Sequence, residues 1–335
     1  MVENIKVNTV PSLTWNWMKM NYDLVSLYDG YKEIQAEVSE KILGIDFQKD
    51  SLDLSNFANS IAIQKKESGI FNIANPKLDA EEFAPGYKNK LHLEKKSNSV
   101  ESQNTTENHP ICKLVNDTVK NAQNIVISES NSKPLVLNLC ADGNYISSQN
   151  ILVKKGTTSQ IIFLYSKGNT VSNSIIRTRV FLEENACVNI IKVQLLGKED
   201  TQLDDTVFIC QDNSKAFFAQ IELGGKHVDS GLHVSLEGYK SSFESNVAYL
   251  CGNNQYLDMN HIVYHYGKKS ECNMKVNGTL KDNAVKTYRG TIDFRNGCSG
   301  SKGNEMEETL LLNPSVINKS LPIILCDEED VEGEH

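Results

Sequence analysis

The chain has 335 residues, 39% hydrophobic and 23% charged, with a formal net charge of −9 and a sequence pI near 5.4. That length is enough for one large or two ordinary domains with a sizeable core. The acidic balance disfavours a general nucleic-acid binder or a protein drawn to anionic lipid. The longest apolar run, near residues 161–165, falls far short of a membrane span, so neither nucleic acid nor membrane is expected as a partner.

The opening stretch MVENIKVNTVPS has no basic segment followed by an apolar core, so it reads as lacking a signal peptide and the chain is expected in the cytoplasm. The eight cysteines, Cys112, Cys140, Cys187, Cys210, Cys251, Cys272, Cys298 and Cys326, are widely spread with no CxxC among them. They read as reduced, mostly buried small hydrophobes rather than as a zinc ribbon, a thioredoxin motif or a resident iron–sulfur motif.

Residues 1–125 form an irregular, partly helical region. Trp15 and Trp17, in TWNWMKMN, are expected to anchor a helix onto a core. Residues 24–42 have apolar positions at mixed spacing, interrupted by Gly30, and read as weak helix or loop. Residues 52–63 alternate too poorly to assign. The polar stretch 95–108 (KKSNSVESQNTTEN) is a flexible linker by composition. At 110–121, Ile111, Leu114, Val115 and Val119 share a helical face behind Pro110 in the first turn.

From about residue 124 the texture changes to short β-type runs separated by turn signals. Predicted strands lie at 125–128, 134–139, 151–153, 161–165, 175–182, 188–196 and 216–223, followed by alternating runs around Leu232, Val247, Val276 and Ile292. Glu184–Asn185, Asp212–Asn213–Ser214, Gly224–Gly225, Gly252–Asn253–Asn254 and Gly267–Lys268–Lys269 punctuate them. Tyr288, Ile292 and Phe294 share a face, with Gly290 between them. Residues 126–335 are therefore an all-β unit: a sandwich, a barrel or a solenoid. Periodicity alone leaves a sandwich and an irregular β-helix about even.

Few constellations carry chemistry. His261 and His265, four apart on a strand, share a face about 13 Å apart, too far for one metal ion, and read as surface or interface histidines. His227 and His233 flank the turn-rich GGKHVDSG and are expected to approach across a hairpin. The tail holds Asp327, Glu328, Glu329, Asp330, Glu332 and Glu334 between Cys326 and His335. It lacks the spacing of an EF-hand loop and in isolation reads as solvated surface, with a Ca²⁺ or Mg²⁺ patch as the alternative. No GxSxG, P-loop, GxGxxG or HExxH is present.

The block RGTIDFRNGCSGSKGNEMEETLLLNPSVINKSLPIILCDEEDVEGEH, residues 289–335, resembles the end of the core domain in the SufB/SufD family of iron–sulfur cluster assembly scaffolds. The likeness runs through the glycine-containing strand at 290–294, the LLL run at 310–312, the Pro-led strand at 322–325, Asp330–Val331 at the end of the acidic run, and His335. Upstream, His265 and Ser270 fit the family's histidine-then-serine strand pair, and TWNWMKMN is similar to the start of the shorter, SufD-like members. The resemblance implies a mainly β fold, a right-handed parallel β-helix at 126–335, behind a smaller N-terminal domain at 1–125. It also implies a family C-terminal helical segment beyond His335 that is absent from this sequence, which is expected to be a trimmed chain.

The resemblance further implies a non-catalytic scaffold that pairs with a SufB-like subunit, or with itself, and engages a SufC-like ATPase. A transient iron–sulfur cluster is implied at the subunit interface, with no cofactor held tightly by the isolated chain. The histidine carried over as a candidate cluster or iron ligand is His335, with Glu332 and Glu334 as carboxylates that orient it. His265 is an interface candidate. Where SufB has its cysteine, three residues before the LLL run, this chain has Glu307, which favours a SufD-like role. A β-helix carbohydrate-active enzyme and a plain β-rich interaction module are the competing readings; the first needs a secretion route and an aromatic-lined groove with paired carboxylates.

Overall fold

The computed structural model describes residues 3–11, 16–48, 52–54, 57 and 110–335. Two long parallel sheets face each other, and from residue 143 the chain alternates between them. Sheet I holds β8 (Gly143–Val153), β10 (Ser172–Leu182), β12 (Thr201–Cys210), β14 (His227–Leu236), β16 (Tyr256–His265), β18 (Val285–Phe294) and β20 (Ile317–Cys326). Sheet II holds β9 (Thr158–Ser166), β11 (Cys187–Leu195), β13 (Lys215–Glu222), β15 (Ser242–Cys251), β17 (Glu271–Leu280), β19 (Ser301–Leu311) and β21 (Val331–Glu334). Each strand pairs in parallel with the strand two places on, which is the pairing of a β-solenoid and rules out a sandwich of hairpins. Side chains repeat the register: Asn173 bonds at 2.7 Å to Asn144, 29 residues earlier, and to Thr201, 28 residues later.

The turns explain why Asn, Asp and Lys-rich punctuation recurs. Asn185, Asn213, Lys240, Asn253, Lys269 and Asp282 all take a left-handed backbone, with φ between 53° and 60°. Asn and Asp tolerate that conformation best among non-glycine residues. Successive turns are stacked as well: the Asn213 N–H donates to the Tyr239 carbonyl at 2.8 Å, and the Lys240 N–H to that of Lys268 at 3.0 Å.

The N-terminal segment joins the solenoid. β6 (Gln123–Ile127) and β7 (Leu135–Leu139) start the two sheets. β5 (Ile45–Gln48) and β4 (Glu37–Val38) add to them antiparallel, and β3 (Lys32–Glu33) pairs with β8. A hairpin of β1 (Glu3–Val7) and β2 (Asp23–Leu27), with helix α1 (Pro110–Thr118), covers the outer face of sheet I. Ile5, Val7, Val25, Leu27, Ile111 and Val115 pack there against Ile146, Ile175, Leu203 and Ile262. Strands β10–β18 of sheet I are therefore buried on both faces, whereas those of sheet II alternate between buried and more exposed positions.

Helix α1 and most strands from residue 125 agree with the sequence expectation, but β12 (Thr201–Cys210) has no counterpart in it. Residues 24–42 also depart from it: they supply β2, β3 and β4, because short extended pieces pair with existing sheet edges, a stabilisation that local spacing does not report. Trp17 sits in a 3₁₀ turn (Asn16–Met18) and is 74% exposed rather than anchored in a core. Trp15, most of 52–63 and the 95–108 linker lie outside the described residues. Among the described residues no helix is long and apolar enough to cross a membrane.

Candidate functional site

His335 lies at the last rung. β21 pairs with β19 through Gly303↔Gly333 and Asn304↔Glu334, and the same register carried one step further sets His335 beside Glu305. His335 Nδ1 is 3.4 Å from Glu305 Oε2, and the imidazole is 27% exposed. Alternation turns His335 and Glu305 toward the lumen and Glu332 and Glu334 toward solvent. Glu332 accordingly pairs with Lys302 at 2.8 Å on the outside. β20 and β21 are the last strands of the two sheets in chain order among the described residues.

Glu305 can reach across the lumen because the facing position is Gly290, where a Cβ would overlap the Glu305 carboxylate. Burial pushes the Glu305 carboxyl up to about 7, and burial holds the His335 imidazole below its ordinary value. Glu305 thus sits close to a change of protonation near neutral pH, while burial favours the neutral form of the His335 imidazole.

The lumen behind these residues stays polar. Glu307 makes an ion pair with buried Lys286 and accepts a hydrogen bond from Thr309 at 3.2 Å; Tyr249 bonds Thr309 at 2.7 Å. Deeper, Lys192 Nζ reaches Asp204 and Thr206 at 2.6 Å each, across from sheet II to sheet I. Gln220 donates to Glu222 at 2.5 Å and to Ser230 at 2.9 Å. Burial pushes Glu222 up to about 8. Charges inside a solenoid persist only when matched across the lumen, since an isolated buried ion costs several kcal/mol.

His261 and His265 do share one face of one strand, β16, but that face is the interior, and both are fully buried rather than on a surface. His265 bonds Ser270 through Nδ1 at 2.7 Å, approaches Cys272 Sγ through Nε2 at 3.3 Å and stacks on Phe294. The histidine–serine strand pair is thus a direct contact. Neither ring nitrogen of His261 has a hydrogen-bond partner. His227 and His233 do not meet across a hairpin: VDSG continues strand β14, so His227 meets Asp23 while His233 is buried against Tyr264.

The acidic tail is neither loose nor a convergent cation patch. Glu328 accepts from the Gly297 N–H at 2.9 Å, and Asp330 from Ser299 at 2.7 Å, clipping the last turn onto the one before. Of the cysteines described, Cys210, Cys251, Cys272 and Cys298 are buried as expected, and Cys140 and Cys326 are exposed. Cys326 is the last residue of β20.

A family model described as SUF system FeS cluster assembly, SufBD core domain, matches residues 138–335. The chain belongs to the SufBD family. A 73-residue segment is also 30% identical to the iron–sulfur cluster assembly protein SufD of Bacillus subtilis (strain 168); the alignment covers 22% of this chain and 17% of that protein.

The SufBD core coincides with the solenoid from the end of β7 to His335. Two residues of the site escape a reading of the sequence alone, Glu305 and Lys286. Both lie on the inward phase of alternating strands, the same phase as Gly303 and as Tyr288, so period two was a usable signal. What period two does not supply is the lumen partner of each, fixed by pairing across a 21-residue gap for Lys286 and Glu307.

Proposed function

We propose that this chain is a non-catalytic, SufD-like scaffold subunit of the SUF iron–sulfur assembly machinery. It pairs with a SufB-like subunit through the part of its solenoid that carries His335 and acts with a SufC-like ATPase. The observation that carries this reading is His335: a partly exposed imidazole on the inward face of β21, beside Glu305, within a SufBD core.

Neutral imidazole is a good ligand for iron. One such ligand, met by ligands from the facing subunit, holds a nascent cluster as cargo without sealing it into a four-thiolate site, which suits a scaffold that must release it. Glu305, on the lumen side, is the carboxylate beside the imidazole, with its Oε2 3.4 Å from Nδ1, whereas Glu332 and Glu334 face away. Glu307, engaged with Lys286, occupies the position of the SufB cysteine, which supports the SufD-like assignment.

Co-expression of the tagged chain with a SufB-type subunit and a SufC-type ATPase tests this. The expected result is co-purification of a complex with one copy of the chain per SufB-type subunit. A chain that self-associates and leaves the SufB-type subunit in the unbound fraction overturns the proposed pairing.

A further inference from the structure

On the outer face of sheet I, far along the chain from His335, three donors converge where the β1–β2 hairpin meets the solenoid. His227 Nε2 lies 2.8 Å from Asp23 Oδ2 and 3.2 Å from Asp229 Oδ2. These three side chains are the one group of three metal-ligating residues among the described residues whose donor atoms all lie within 4.8 Å of one another. Donors bound to a common first-row ion at about 2.0–2.2 Å stand roughly 3.0–3.4 Å apart; the 3.2 Å His227–Asp229 spacing falls in that range, and the 2.8 Å His227–Asp23 spacing, a hydrogen-bond distance, is slightly shorter.

A second observation points the same way. The Asp229 side chain is 1% exposed, and its Oδ1 has no hydrogen-bond partner. A buried carboxylate with an orphan oxygen is costly unless something else satisfies it. The neighbouring Asp258 is already engaged by Arg289 and by Asn8, at 2.7 Å to Asn8, so that pairing does not relieve Asp229. The ligands are also held in place. Tyr256 donates to Asp23 Oδ1 at 3.0 Å, leaving Oδ2 for the cluster, and the Tyr256 ring lies 4.5 Å from that of His227. His227 keeps 31% of its side chain exposed, which provides access and room for water ligands.

We propose that Asp23, His227 and Asp229 form a binding site for one divalent first-row transition-metal ion that ties the β1–β2 hairpin to strand β14. One imidazole and two carboxylates favour the Fe²⁺ and Zn²⁺ class over Ca²⁺, and two carboxylates balance the charge of a divalent ion.

The test is calorimetric titration of the chelator-treated chain with Zn²⁺, alongside Asp229→Asn, Asp23→Asn, His335→Ala and Cys326→Ser. The expected result is a site in the parent chain that is weakened at least tenfold by Asp229→Asn and by Asp23→Asn and is retained in His335→Ala and Cys326→Ser, whether or not His335 contributes a second, separate one. Hydrogen exchange of the β1–β2 amides should slow on Zn²⁺ addition in the parent and not in Asp229→Asn. Asp23 is partly exposed, so Asp23→Asn retains the test if Asp229→Asn does not fold. No Zn²⁺ binding in the parent, or binding abolished by His335→Ala or Cys326→Ser instead, overturns the site. The cluster-ligand role of His335 is unaffected by either failure.

Discussion

His261 shows how a single side chain makes the fold sensitive to pH. It is fully buried with no partner for either nitrogen, and burial holds it down at about 3, against roughly 6.5 for an unfolded histidine. Between those values the unfolded chain binds a proton that the folded chain does not. Stability from this group is therefore full above pH 6.5 and is lost as pH falls toward 3. At pH 5 the loss is about 2 kcal/mol for one such histidine. His233 and His265 are also held down at about 3 and add to it. Glu222 and Asp205, pushed up to about 8, act in the opposite sense, their stabilisation being greatest in acid. Comparing His261→Phe with the parent removes these common contributions. Urea melts at pH 7.5 and pH 5 should show the parent losing about 2 kcal/mol more than the variant; equal losses would refute the buried neutral imidazole.

At the level of elements, strand β12 was the hardest to read and explains why. Its centre, Leu203–Asp204–Asp205–Thr206, puts two carboxylates where a strand pattern wants apolar residues, so no predicted strand covers it. Asp204 points into the lumen, matched by Lys192 of β11, and Asp205 points outward beneath the N-terminal cover, near Arg179. Strands β10–β18 of sheet I are buried on both faces and lose clean alternation, whereas sheet II strands keep it and were legible. The sandwich and the solenoid bury the same alternate residues; only the parallel register separates them. Sequence periodicity could likewise not pair His335 with Glu305, whose contact depends on the rung length. The Lys192–Asp204 pair gives a direct check on the lumen. Asp204→Ala should cost about 3–5 kcal/mol by stranding a buried ammonium, while Lys192→Met with Asp204→Leu should be neutral or stabilising. Both are measured by chemical denaturation, and an Asp204→Ala variant as stable as the parent would mean that the pair is hydrated.

The whole molecule is a stack in which each rung touches mainly its neighbours, so stability is distributed along one axis. The central rungs have a rung on each side, and β6–β8 are additionally covered by N-terminal strands. Amide exchange should therefore be slowest through β10–β18, whose strands are flanked on both sides within their sheets. Binding of a SufB-type subunit should raise protection in β19–β21 and leave β8 unchanged. Protection gained at the N-terminal end instead would relocate the interface.

The cluster-ligand role of His335 is tested most directly by anaerobic reconstitution of the chain with its SufB-type and SufC-type partners, followed by visible absorption. His335→Ala should retain complex formation and lose most of the cluster absorption, with the rate of accumulation falling about tenfold or more. A His335→Ala complex that assembles and accumulates cluster like the parent would show that His335 is not a ligand.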